Sequence, residues 1–140
     1  LSGSLSGPIP FSKNRLTFYS TFRYYQSSGR YYGRNLFTPT GSFGNESIVP
    51  LSPFSKLSGQ MKLTYKIKSG MKASYTSYLT EKSYKNYDSY FKYNPDGVLN
   101  NYESDQSHML SLTHSISQNT FYEVKYKAML QKIVYIQLAI

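Results

Sequence analysis

Few residues in this chain are of a type and spacing that could do chemistry. His108 and His114 are the first candidates for a metal site or for proton transfer. Six residues of extended chain would separate them by about 20 Å. They cannot share a metal ion, and they read instead as polar tips near the two ends of one strand. Asp88, Asp96, Glu103 and Asp105 crowd a single polar stretch and offer the oxygen ligands that Ca²⁺ takes, but no EF-hand spacing is present. Within that stretch, Asn94, Pro95, Asp96 and Gly97 have the composition of a type I turn, with Pro at the second position and Gly at the fourth. Serine is abundant, yet there is no G-x-S-x-G elbow, no paired-carboxylate site and no phosphate-cradling glycine loop. The absence of cysteine excludes disulfides, thiolate metal sites and a thiol nucleophile. Neither catalysis nor a cofactor is expected.

The elements that would position these residues are strands. Of 140 residues, 16 are Tyr and 8 are Phe, against 16% charged residues, a composition that excludes a coiled coil or a charge-rich disordered tail. Strict alternation runs through Ser58 to Ile67, where Gly59, Met61, Leu63, Tyr65 and Ile67 oppose Ser58, Gln60, Lys62, Thr64 and Lys66. Similar two-faced segments run from Leu16 to Tyr24, Met71 to Thr80, His108 to Ser117 and Phe121 to Leu130, and Leu1 to Ile9 reads as the end of a sixth strand. The chain opens at Leu1 without an initiator Met and ends on an apolar run, so it is expected to be a fragment. Its longest apolar run, near Ile133 to Ile136, falls far short of the roughly 20 residues of a spanning helix.

Between the expected strands the connections alternate short and long. They are a tight turn at Pro10 to Asn14, a long stretch from Gln26 to Lys56, three residues from Lys68 to Gly70, a second long stretch from Lys82 to Gln106, and the pair Gln118 and Asn119. Compact soluble domains rarely carry structureless loops beyond about 15 residues. Transmembrane β-barrels have this asymmetry as a rule, with spans of about 9–11 residues whose apolar face meets lipid. The expected fold class is therefore all-β, with antiparallel up-and-down strands forming part of a transmembrane β-barrel. Phe18, Phe22, Met61, Leu63 and Leu79 fall on the expected lipid face. Tyr65, Tyr75 and Tyr122 share that parity close to short turns, where a membrane girdle of aromatic residues would lie.

Three stretches carry a family resemblance: SLSGPIPFSKNRLTFY (Ser4 to Tyr19), SGQMKLTYKI (Ser58 to Ile67) and NYDSYFKYNPDG (Asn86 to Gly97). They resemble the barrel region of TonB-dependent outer-membrane receptors, most closely the Bacteroidetes-type branch with a carboxypeptidase-regulatory-like N-terminal domain. The resemblance covers roughly Leu1 to Lys127. It implies a plugged barrel of about 22 strands in the bacterial outer membrane. It also implies TonB-energised import of a scarce, bulky nutrient such as an iron chelate, a cobalamin or a glycan. The implied partners are outer-membrane lipid, the plug domain of the same protein, TonB through the N-terminal part, and the nutrient itself. The domain reading is a barrel fragment over residues 1–130 and an anomalous apolar tail over 131–140, where Lys132 falls on the lipid parity. The alternative from another class is a β-rich surface or adhesion domain that binds a ligand with its long loops and transports nothing.

The formal charge of +9 invites a nucleic-acid reading, in which Lys and Arg neutralise phosphates beside stacking aromatics. Parity separates the two components, because Lys62, Lys66 and Lys72 point away from the face of Tyr65 and Tyr75. No nucleic acid is expected. Arg23, Lys62, Lys66, Lys72, Lys125 and Lys127 are expected to line the lumen, where a charge is tolerated in water or against a partner. That wall needs anions, supplied by acids elsewhere in the protein or by an anionic substrate drawn inward.

Overall fold

The computed structural model describes residues 1–10 and 12–136. Phe11, within the first expected turn, and the last four positions of the expected anomalous tail lie outside the described residues. Among the described residues eight strands form: β1 (Ser2–Pro8), β2 (Leu16–Ser27), β3 (Tyr32–Arg34), β4 (Ile48–Pro50), β5 (Phe54–Lys68), β6 (Met71–Lys85), β7 (Asn100–Ser115) and β8 (Phe121–Ile136). Six of them make one antiparallel sheet in the order β1-β2-β5-β6-β7-β8, while β3 and β4 pair separately as a short ribbon. Once the ribbon is set aside, every strand lies beside its neighbour in sequence. The sheet is open, with β1 and β8 at its edges. Six strands are fewer than the eight or so of the smallest membrane barrels.

All six expected strands are present, and five of them are longer than their alternation suggested. β7 begins at Asn100, not near His108, because Asn100 to Gln106 pair in the sheet although both of their faces are polar and give no period-2 hydrophobic signal. The second long connection shrinks accordingly and holds two short 3-10 turns, at Ser89–Phe91 and Pro95–Gly97. The second of these is the turn expected from Asn94 to Gly97, closed by a Gly97 N–H donating to the Asn94 carbonyl at 3.0 Å. Residues 131–136 of the expected tail continue β8.

The short connections have local causes. Between β1 and β2, Lys13 (φ 48°) and Asn14 (φ 58°) are both left-handed, and the Arg15 N–H donates to the Ser12 carbonyl at 2.9 Å. Two left-handed central residues are what a type I′ hairpin turn requires, and its twist matches that of the flanking strands. Between β5 and β6, Gly70 sits at φ 76°, with the Ser115 carbonyl oxygen only 2.9 Å from where a Cβ would be. In the β1–β2 pair, Gly3 faces Phe22 and Gly7 faces Phe18. The Phe22 ring lies across Gly3 so closely that a Cβ there would meet it at 2.6 Å. Aromatic rings thus cover the backbone that the glycines of an edge strand leave bare.

The chain divides into two compact units. The first comprises Leu1–Arg23, Leu57–Thr80 and Asp105–Gln131. Its buried side chains are polar: Thr76 is 2% exposed and Ser111 7%. Many of its large apolar side chains are open, among them Leu5 at 67% and Leu130 at 65%, while Leu63, Leu79 and Leu112 are half-buried. The second unit comprises Tyr24–Lys56, Glu81–Ser104 and the residues from Lys132 on. The long connections belong to it, and they are not structureless as their length suggested. Main-chain bonds tie the ribbon to the 3-10 segment: Arg34 N–H donates to the Lys92 carbonyl at 2.9 Å, and Phe37 N–H to the Tyr93 carbonyl at 3.0 Å. Leu51 and Pro95 are buried within this unit.

Replacing Gly70 by Ala should destabilise the protein by about 1–2 kcal/mol, the cost of a left-handed L-residue. Gly59→Ala, at a mid-strand position with open space around it, should be neutral or slightly stabilising. Urea unfolding of the two variants measures the difference.

Candidate functional site

Parity assigns side chains to faces, and side-chain bonds of the first unit show that the faces agree from strand to strand. On the polar face Ser74 of β6 and Ser111 of β7 share a 2.7 Å hydrogen bond, and Gln60 of β5 donates to the Tyr78 hydroxyl at 3.5 Å. On the apolar face the Tyr75 hydroxyl meets His108 Nδ1 at 2.8 Å, and the Tyr122 hydroxyl meets His114 Nδ1 at 3.2 Å. Two of the three girdle candidates thus carry a histidine partner, and Tyr65 lies exposed on the same parity. The two histidines go to different tyrosines. Among the described residues no group of three metal-ligating side chains assembles.

All six lumen-lining candidates are exposed. The structure brings together Lys72, Lys125 and the acid Glu123. Lys125 Nζ lies 2.8 Å from Glu123 Oε2, and Lys72 is near enough to act on the same carboxylate. Among the described residues Arg23, Lys62, Lys66 and Lys127 form no ion pair. The polar face of this unit therefore carries a surplus of cations over its two acids, Asp105 and Glu123.

In the second unit the same face bears a cluster that the alternation did not single out. Glu103 of β7 accepts a hydrogen bond from the Tyr84 hydroxyl at 2.7 Å and one from Lys82 Nζ at 3.0 Å, both on β6. These bonds hold the Glu103 carboxyl below its ordinary range, the Tyr84 bond foremost and the Lys82 bond second, against the opposing effect of burial. The bond to Glu103 likewise holds the Tyr84 hydroxyl above its ordinary value, with burial adding to the shift. An aromatic row adjoins the cluster: the Phe54 ring lies 6.0 Å from Tyr25 and 6.4 Å from Tyr84. Each residue continues the polar parity of its strand beyond the segment where alternation was clear, so the signal was present in the sequence. The acids considered as calcium ligands take separate partners. Asp88 Oδ1 accepts from the Tyr90 N–H at 2.9 Å, and Asp96 accepts from Asn35 at 3.3 Å and lies 3.9 Å from Lys85 Nζ.

Among the described residues the polar face of the first unit is cationic, and the second unit carries a charged and aromatic cluster of its own. In comparisons with known proteins, no family model, no curated protein and no solved structure matches the chain.

Glu103 contributes stability above its ordinary titration range, and that contribution is lost as pH falls through its lowered folded value. Tyr84 contributes below about pH 10, and its share is lost as pH rises through its raised folded value. The network should therefore persist from mildly acidic to alkaline conditions. In Glu103→Gln the acid-side fall in stability should become shallower, a change measurable by thermal unfolding across a pH series.

Proposed function

We propose that the chain is part of the wall of an outer-membrane receptor of the TonB-dependent type, which imports a scarce, bulky nutrient such as an iron chelate, a cobalamin or a glycan. The observation that carries this reading is the inverted burial of the first unit. Its covered side chains, Thr76 and Ser111, lie on the polar parity, while Leu5, Phe22, Met61, Leu110, Val124 and Leu130 are exposed on the apolar one. A half-solvated sheet in a water-soluble protein does the reverse and covers its apolar face. An extended apolar face left open suits a hydrocarbon environment. The lengths fit as well, since β5 to β8 each have 15 or 16 residues, sufficient for a span of about 9–11 with polar extensions. In this reading the outer loops receive the nutrient, and the cationic face looks into a lumen whose plug domain and further strands supply acids. TonB engages the plug-bearing part of the protein.

Leu63→Lys should cost about 2–4 kcal/mol near the bilayer midplane, and Thr64→Lys, on the opposite face, close to nothing. Folding titrations in liposomes measure both, and equal tolerance at the two sites would reject the reading. A protein that stays soluble without detergent would favour a surface or adhesion domain instead.

The same reading makes the connections between β2 and β5 and between β6 and β7 extracellular. An epitope inserted at Gly41, where the surroundings are open, should be stained by antibody on intact cells. Staining only after permeabilisation would invert the topology. Gly97 is a poorer site for the tag, because the Phe91 ring lies 2.8 Å from where its Cβ would stand.

A further inference from the structure

At one end of the first unit the hairpin turns gather positive charge. The Lys66 N–H donates to the Arg15 carbonyl at 2.8 Å, which sets the β1–β2 turn alongside the end of β5. The Ser115 N–H donates to the Gly70 carbonyl at 2.7 Å, which sets the β5–β6 turn beside the end of β7. Lys13, Arg15, Lys66 and Lys68 all stand exposed there. Acids are missing from the same place: no Asp or Glu occurs between Leu1 and Arg23, between Leu57 and Thr80, or between Gln106 and Tyr122. Of the two acids in this unit, Glu123 is held by Lys125 at 2.8 Å, and Asp105 stands in the first half of β7, about 30 Å along the strand from the turns. Among the described residues the four cations form no ion pair. Like charges gathered without a counter-charge raise the local potential and draw anions.

Apolar side chains stand open at the same end. A cleft of about 520 Å³ at the β1–β2 turn is lined by Pro8, Ile9 and Pro10 together with Lys13 and Asn14. Beside the β7–β8 turn Ile116 is 64% exposed and Phe121 72%. A few residues from the turns, on the apolar parity, come the exposed rings of Tyr65, Tyr75 and Tyr122. Cations alone would suit any anion in water. Cations bordering open apolar groups and tyrosines suit the surface of a bilayer, where phosphate, ester and hydrocarbon follow one another in depth.

We infer that this end of the sheet holds the headgroup of an anionic phospholipid, with Lys13 and Lys68 meeting its phosphate from two turns and the Pro8–Ile9–Pro10 cleft receiving the glycerol beside it. Lys13 lies in the β1–β2 turn and Lys68 is the last residue of β5, so neither stem is confined to one face as a mid-strand residue is. Long lysine stems of this kind lie along apolar surface and carry the ammonium to the phosphate level. Arg15 and Lys66 add to the potential from just inside the strands. A zwitterionic headgroup would bring an ammonium of its own into this field, whereas phosphatidylglycerol brings a net negative charge. The inference rests on the proposed membrane reading and deepens it: the short turns select, from the lipid around them, headgroups of one charge.

The test is native mass spectrometry of the full chain in a neutral detergent, titrated with dioleoylphosphatidylglycerol, dioleoylphosphatidylcholine or glycerol 3-phosphate. Phosphatidylglycerol should be retained about fivefold or more tightly than phosphatidylcholine, as expected of one or two cations at a membrane surface. Raising ammonium acetate from about 0.01 M to about 1 M, which shortens the Debye length from about 30 Å to about 3 Å, should erase the preference. The double variant Lys13→Gln with Lys68→Gln should lose it, and Lys13→Arg with Lys68→Arg should keep it. Lys132→Gln, which removes a cation from the apolar parity of β8 far from the turns, should leave it unchanged. The wild-type comparison and its salt dependence decide the matter even where the glutamine variant fails to fold. Equal retention of the two lipids by a chain that inserts into liposomes would overturn the inference and leave the membrane reading standing. A preference that survives the double glutamine variant, or that vanishes in Lys132→Gln, would also overturn it, and so would glycerol 3-phosphate held as tightly as the lipid. A chain that retains neither lipid and stays soluble without detergent would remove the membrane reading and the inference with it.

Discussion

Successive side chains of a strand leave on opposite faces, so a slip of one residue between neighbouring strands would exchange the whole polar face for the apolar one. The rest of the structure depends on that register. Between β6 and β7 it is fixed from both sides at once. Ser74 meets Ser111 on the polar face, and the next residue, Tyr75, meets His108 on the apolar face. A shift of one position would separate both pairs and place hydroxyls among Leu110, Ile116 and their neighbours. The Glu123–Lys125 pair lies within β8 and needs no register, but its place on the same face as Lys72 of β6 depends on it.

In the second unit the stabilising interactions are of another kind. The long connections are joined by main-chain bonds between the β3–β4 ribbon and the 3-10 segment, and around Leu51 and Pro95 they bury what little apolar side chain is buried among the described residues. Gly33 is required at that junction, because a Cβ there would stand 2.5 Å from the Lys92 carbonyl oxygen. Loops built in this way keep their side chains in fixed positions.

The strands were legible in the sequence wherever one face was apolar and the other polar, as through Ser58 to Ile67. They were not legible where both faces are polar: Asn100 to Gln106 extend β7 only because β6 continues alongside. The type I turn at Asn94 was readable because its signal is local, carried by Pro95 and Gly97. The β3–β4 ribbon was not, since three-residue strands give too short a pattern and their attachment to Lys92 and Tyr93 joins segments far apart in the chain. The same limit hid the site residues. Lys82, Tyr84 and Glu103 each follow parity, but their meeting depends on how far two strands run on together. The unpaired state of Asn94 Oδ1 is a property of its surroundings and leaves no mark in the sequence.

The pairing of Gly3 with Phe22 has an evolutionary consequence. The ring occupies the volume that a side chain at position 3 would need, so a larger residue there must turn a half-exposed ring aside. A smaller residue at position 22 in turn leaves bare the backbone of an edge strand until position 3 has grown. Each change is easier to keep when the other accompanies it. The two positions should therefore change together or not at all, like a bolt and its socket inherited as one part.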